Sequence, residues 1–329
     1  MKEQVFVSAV LYVHNEYETV RQGIIDLDLI LGGMFQYYEI VVVNDASTDL
    51  TLEKIREVSK EVNGNMIVIS LSRKHGIEKG MTAGLIKSMG DFVFEFETTK
   101  FDFSSDIIPN LYRTALTGFD IVVVSPSTGL PWTSKMFYKF VNKISYLELD
   151  LRTESTRVVS RRALNAMLNL KEKVRYRKAL YAYTGYSKKV LTYQSLIKQH
   201  SARSGINREN ISTAFDVIVS FSNIGLKLSH YLSIVFLLFS LFMAGYALFN
   251  YFFNKNIVEG WTTLMILISF GFTGLFFIVG MLGEYISRIL IEIQNRPSYT
   301  TQSVDNFKPQ KVNTVETFNN EVAVGKEAH

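Results

Sequence analysis

Tyr231 to Phe253 is a run of 23 residues without a charged side chain (YLSIVFLLFSLFMAGYALFNYFF), and Trp261 to Gly283 is a second run of the same length. At about 1.5 Å per residue, each is long enough to cross a hydrocarbon core of ~30 Å as a helix. Helices buried in a soluble core seldom stay uncharged beyond about 14 residues. The two runs therefore read as transmembrane helices, 231–253 and 261–283, joined by the short linker Asn254 to Gly260. Basic residues gather outside this hairpin: Lys198, Arg203, Arg208 and Lys227 precede it, and Arg288 and Arg296 follow it. Because Lys and Arg accumulate on the cytoplasmic side of membrane helices, the pattern predicts a multi-pass protein of the cell (inner) membrane with both termini in the cytoplasm. Residues 206–230 read as an amphipathic juxtamembrane segment. Residues 284–329 read as a cytoplasmic juxtamembrane segment that passes, after about Ser298, into a polar and largely disordered tail.

Residues 1–205 have a different grammar, in which short apolar runs alternate with stretches of helical spacing. Strands are predicted at Val5 to Val13, Glu39 to Val43, Met66 to Leu71 and Phe92 to Phe96, and helices at Glu16 to Leu31, Leu50 to Val62 and Glu78 to Met89. Such alternation implies an α/β domain with a mainly parallel, doubly wound, Rossmann-like sheet. In sheets of this kind ligands bind at the carboxyl ends of the strands, so the loops after strands one, two and four are where chemistry is expected. The chain has no cysteine, which removes disulfides, thiol nucleophiles and thiolate metal sites together. Its five histidines lack ligand spacing, and a net charge of +4 points to no nucleic-acid partner.

Three loops carry candidate chemistry. His14-Asn15-Glu16 follows strand one and Asn44-Asp45-Ala46-Ser47-Thr48-Asp49 follows strand two. A carboxylate at a strand end can accept hydrogen bonds from a ribose hydroxyl or a base N–H. The same Asp45 and Ser47 can equally form a turn that caps the next helix. Ser72-Arg73-Lys74-His75-Gly76, after strand three, puts two cations where a diphosphate can lie, and reads equally as a solvated basic loop. Farther on, Lys135, Lys139 and Lys143 recur at helical spacing as a stripe suited to anionic lipid, and read equally as the solvated face of a surface helix. Lys171, Lys173, Arg175, Arg177 and Lys178, with Arg203 beyond, are candidates for gripping a lipid phosphate.

The order of these pieces resembles the membrane-anchored family-two glycosyltransferases of GT-A fold that load sugars onto polyprenyl phosphate, the dolichyl-phosphate mannose synthase and bactoprenol glucosyltransferase group. The resemblance spans roughly residues 5 to 300. It rests on Val41 to Asp49, on Ser72 to Gly76 with Ala83-Gly84-Leu85, and above all on Gly283-Glu284-Tyr285-Ile286-Ser287-Arg288 with Arg296-Pro297-Ser298-Tyr299. It implies a GT-A nucleotide-sugar domain followed by a two-helix transmembrane hairpin. It also implies transfer of a sugar from a nucleotide-diphosphate sugar to polyprenyl phosphate at the cytoplasmic face, with a homo-oligomer left open. His14, Glu16, Asp45, Ser47 and Arg73 then fall at the nucleotide site, and Arg157, Arg162 and Arg203 at the acceptor phosphate.

Two departures stand out. Where the family has Asp-x-Asp for a divalent metal, this chain has Glu97-Thr98-Thr99, so Glu97 with Asp102, or with Glu95 in an altered geometry, becomes the expected Mg²⁺ or Mn²⁺ site, and Glu97 and Asp102 read equally as ordinary polar residues at a strand end. Where the family has an acceptor aspartate, two residues before the matching Arg157, this chain has Ser155, which is no general base at neutral pH without an activator. Glu97, Asp102, Ser155 and Arg157 are thus the candidate catalytic set. The losses also leave open a second reading, a catalytically silent relative that keeps the fold as a binding or assembly partner.

Overall fold

The computed structural model describes residues 2–127, 154, 156–170, 176–194, 224–253, 260–293 and 297–308. The lysine stripe at 135–143, Ser155 and Arg203 lie outside the described residues. In chain order the N-terminal elements are β1 (Glu3–Val13), α1 (Tyr17–Met34), β2 (Phe35–Asn44), α2 (Thr51–Val58), β3 (Asn65–Leu71), α3 (Ile77–Lys87) and β4 (Phe92–Phe96). These match the expected alternation, with ends shifted by a few residues. They are followed by α4 (Ile107–Leu116), β5 (Ile121–Pro126), β6 (Thr156–Ser160), α5 (Arg161–Asn169), α6 (Arg177–Tyr183) and β7 (Lys188–Tyr193). Two long helices, α7 (Ile224–Phe253) and α8 (Trp261–Ile293), precede a last strand, β8 (Thr301–Phe307).

The strands form one mixed sheet in the order β7-β5-β6-β4-β1-β2-β3-β8. Strands β4, β1, β2 and β3 are mutually parallel, whereas β6 runs antiparallel between β4 and β5, and β8 antiparallel on the edge of β3. The chain reverses its direction of travel across the sheet between β1 and β4, which opens a crevice at their carboxyl ends. Alternation along the strands sorts the core onto two faces. Val7, Ala9, Leu11, Phe94 and Phe96 pack with α1, α2 and α4, while Val10, Tyr12, Val93, Val123 and Val159 pack with α3, α5 and α6. Helix α3 lies close to the sheet because Gly84 has no Cβ, which would stand 2.4 Å from Val10 Cγ1.

The polar tail expected after Ser298 is corrected in part. Thr301–Phe307 is a strand whose backbone pairs with β3 from Met66↔Phe307 to Leu71↔Thr301, reinforced by an Arg56–Asp305 ion pair at 3.1 Å. Its side chains alternate between half-buried and exposed, so edge pairing rather than apolar burial orders it.

Helices α7 and α8 pack side by side. Phe236 lies against Gly274, where a Cβ would meet its ring at 2.2 Å, and Phe236 and Phe239 both meet the Phe270 ring. Among the described residues one stretch, Phe270–Ser287, is long and apolar enough to cross a membrane. Leu237, Phe242, Phe252, Phe272 and Phe276 face outward on the pair.

Candidate active site

The loops after β1 and β2 are laced together at the carboxyl edge of the sheet. Asn15 and Ala46 adopt positive φ, 54° and 50°, which turns each loop sharply out of its strand. The Asn15 backbone N–H donates to Ser47 Oγ at 3.0 Å, and the Thr48 N–H donates back to Asn15 Oδ1 at 2.8 Å. His14 Nδ1 stands 2.8 Å from the Asp45 carbonyl, an acceptor only, so this nitrogen carries the proton.

Asp45 sits at the centre and is 0% exposed. Its carboxylate accepts from Tyr12 Oη at 2.8 Å and from the backbone N–H groups of His75 and Gly76, both at 2.7 Å. Gly76, with φ 86°, lets the loop after β3 turn those amides toward it. The carboxylate expected to meet a nucleoside is therefore committed to the protein, where it ties the loops after β2 and β3 to β1. Glu16 plays the matching part across the crevice. It accepts from the Thr99 N–H at 3.0 Å and from the hydroxyls of Thr99 and Thr98, joining the loop after β1 to the loop after β4. Arg73 is exposed, and Ser47 and His14 are half-buried on the same edge.

The end of β4 holds a buried charge network. Glu95 and Arg157 are register partners across β4 and β6, on the face covered by α6. Arg177, at the start of α6, is fully buried and reaches three carboxylates: Glu78 at 3.0 Å, Glu97 at 2.8 Å and Glu95. Arg157 is 1% exposed, lies 3.3 Å from Glu97 and 3.8 Å from Glu95, and stacks 5.6 Å from the Tyr181 ring centre. The Tyr181 hydroxyl donates to Glu95. Burial alone pushes the Glu97 carboxyl up, but Lys178, Arg177 and Arg157 outweigh it and hold the group below the usual carboxylate range. Burial likewise works against the Arg177 charge, and Glu78, Glu95 and Glu97 overcome it.

Several expected roles change accordingly. Glu97 and Asp102 have separate partners: Glu97 serves the two arginines, and Asp102 accepts from Tyr193 Oη at 2.7 Å. Among the described residues no three His, Asp or Glu side chains are arranged around a metal position. The described residues do not fit a divalent cation, because a cation on Glu97 would stand beside the two buried guanidiniums that Glu97 Oε1 already accepts from. Arg157 is buried inside this network rather than offered to an acceptor phosphate. Glu154, adjacent to Ser155, is buried and ion-paired with Lys188 at 2.6 Å. Arg162 lies at the other end of the sheet, past the last residue of β6, where it pairs with Asp120 at 2.5 Å. The five residues of β4 separate that end from Glu97 by about 17 Å at ~3.3 Å per residue. Of the network, Arg177 was placed by sequence with the lipid-phosphate cations, and Glu78 and Tyr181 had no sequence role. The available signal was Glu95, a charge inside the apolar strand Phe92 to Phe96, which demands a buried partner.

A sheet that reverses its winding between β1 and β4 offers a ligand crevice at their carboxyl ends, where Glu16 and Asp45 lie. Residues 8–98, which carry most of β1 through β4, match the model of glycosyl transferase family 2, and the chain is a glycosyltransferase. An uncharacterised glycosyltransferase of Synechocystis is 28% identical over 299 residues, 89% of this chain and 93% of that one. The prophage-derived bactoprenol glucosyl transferase of Shigella flexneri is 29% identical over 273 residues, 79% of this chain and 86% of that one. The crystal structure of glucosyl-3-phosphoglycerate synthase from Mycobacterium tuberculosis is 14% identical with a TM-score of 0.49, over 66% of this chain and 80% of that one.

Because Arg162 lies away from the crevice and its side chain is 68% exposed, Arg162→Ala is expected to leave kcat and KM for both substrates unchanged. Steady-state kinetics on the purified variant check this. A raised KM for the acceptor would return Arg162 to the acceptor site.

Proposed function

We propose that the chain transfers a sugar from a nucleotide-diphosphate sugar to a polyprenyl phosphate at the cytoplasmic face of the membrane, with α7 and α8 as a two-span hairpin. The observation that carries this reading is the extent of the likeness to the Shigella flexneri enzyme. It covers 79% of this chain, more than residues 1–205 alone, so it runs on into the helical part. The outward side chains of α7 and α8 support the membrane half. Soluble monomers rarely expose contiguous apolar patches beyond a few hundred Å², and here Phe242 is 70% and Phe276 69% exposed. The donor is read at the carboxyl ends of β1, β2 and β4, with Asp45 and Glu16 shaping the loops and Arg73 facing the diphosphate. The acceptor phosphate oxygen is already an anion, so transfer to it needs little base assistance, which suits a chain with Ser155 in place of a carboxylate. The family match and the relatives favour this reading over the silent binding partner.

The test is to give the full chain, in lipid, a panel of nucleotide sugars with polyprenyl phosphate and to look for glycolipid by mass spectrometry. Glycolipid from one donor supports the reading. Transfer to a soluble acceptor alone overturns its lipid half. Topology has its own test, made clean by the absence of native cysteine. A single cysteine at Asn256, in the linker between the helices, is expected to react only with reagent applied on the side away from the cytoplasm. Labelling from the cytoplasmic side overturns the hairpin orientation.

A further inference from the structure

We propose that this chain binds nucleoside diphosphate without a divalent cation, and that Glu97 is the buried counter-ion of Arg157 and Arg177 at the end of β4 rather than a metal ligand. The inference rests on the donor site read above and concerns how the charge at that site is balanced. A diphosphate leaving group needs positive charge nearby, and a hard dication supplies it by bonding directly to carboxylate oxygens, at about 2.0–2.1 Å for Mg²⁺. Such an oxygen must be open to the ion. Glu97 Oε1 instead accepts from Arg177 Nη2 at 2.8 Å and Arg157 Nη2 at 3.3 Å.

The neighbouring carboxylates are engaged in the same way. One oxygen of Glu95 receives Arg177 and the other the Tyr181 hydroxyl. Glu78 Oε2 receives both the backbone N–H and Nε of Arg177, at 2.9 and 3.0 Å, and Asp102 receives Tyr193. A dication at Glu97 would therefore stand beside two guanidiniums whose side chains are 0% and 1% exposed, where water screens repulsion least. Arginine cannot shed its proton to make room. Three carboxylates at this strand end would otherwise suit a cation; Arg157 and Arg177 take one oxygen of each, Glu97 Oε1, Glu95 Oε2 and Glu78 Oε2, and stand in the cation's place as their counter-charge.

The experiment uses the full wild-type chain in detergent micelles. UDP, GDP, CDP and ADP are titrated calorimetrically in excess EDTA and again in Mn²⁺, and free Mn²⁺ is followed in parallel by its paramagnetic resonance signal. At least one nucleotide is expected to bind with Kd values within threefold in the two media, and the protein is expected to remove no Mn²⁺ beyond what the nucleotide alone removes. A Kd tightened more than threefold by Mn²⁺, or stoichiometric Mn²⁺ uptake by the protein, overturns the inference and leaves the donor site standing. Failure of every nucleotide in both media overturns the inference and the donor site together. Because these measurements need no variant, an unstable Glu97→Gln cannot blunt them.

Discussion

Arg177→Met is expected to destabilise the sheet domain by about 3–5 kcal/mol, the usual cost of removing one partner from a buried ion pair. In a domain of this size that corresponds to a fall in melting temperature of roughly 10 °C. The cost comes from what is left behind. Arg177 is fully buried and reaches Glu78, Glu95 and Glu97, and without it Arg157 and Lys178 are left to offset the Glu95 and Glu97 carboxylates. Methionine fills similar volume, so the loss reports charge rather than a cavity. Arg177→Lys is expected to fall between wild type and Arg177→Met, since an ammonium keeps the charge but cannot present a planar fork to three acceptors. Thermal melts by circular dichroism check the series. A melting temperature unchanged in Arg177→Met, with sugar transfer reduced, would return Arg177 to the lipid-phosphate role that its basic neighbours suggest in sequence.

How far the sequence shows this molecule depends on the range of the interaction that shapes each part. The parallel centre of the sheet was legible because both of its faces are covered. Val7 to Val13 is buried at every position, so it reads as an unbroken apolar run, and the sharp turn at Asn15 ends it. Strand β8 was not legible: TQSVDNF has one strongly apolar residue in the middle and one at the end, and its order comes from backbone pairing with β3, some 230 residues earlier. The charge network failed for the same reason. Glu95 and Glu97 lie 82 and 80 residues from Arg177, and no local periodicity joins them. In sequence Arg177 is one of five cations within eight residues, and such a run reads as a surface that meets a lipid phosphate rather than as a source of buried counter-ions. The replacement of Asp-x-Asp by Glu97-Thr98-Thr99 was visible at once. What was not visible is that the remaining carboxylate is neutralised from a helix across the fold.

The same distinction decides what Asp45 does, and Asp45→Ala is the sharper test of it. A strand-end carboxylate kept for a ligand would be dispensable to folding, so its loss would weaken nucleotide binding and leave the melt unchanged. The structure leads to the opposite expectation. Three donors converge on the Asp45 carboxylate, two of them backbone amides at 2.7 Å, and each buried donor left unsatisfied costs about 1–3 kcal/mol. Asp45→Ala is thus expected to cost at least about 3 kcal/mol, with a melting temperature lower by roughly 10 °C. Nucleotide affinity should fall with it, because the His75-Gly76 turn loses the anion that holds it against β1. Asp45→Asn separates charge from shape: it keeps one acceptor oxygen and turns an NH₂ group toward the other donors. The Tyr12 hydroxyl can rotate to accept from that group, but a backbone N–H cannot. The asparagine variant is therefore expected to melt between wild type and alanine. Melting curves recorded beside calorimetric titration of the nucleotide that binds wild type resolve the matter. An alanine variant that melts with wild type yet binds nucleotide weakly would make Asp45 a ligand contact, and the loop frame described here would be wrong.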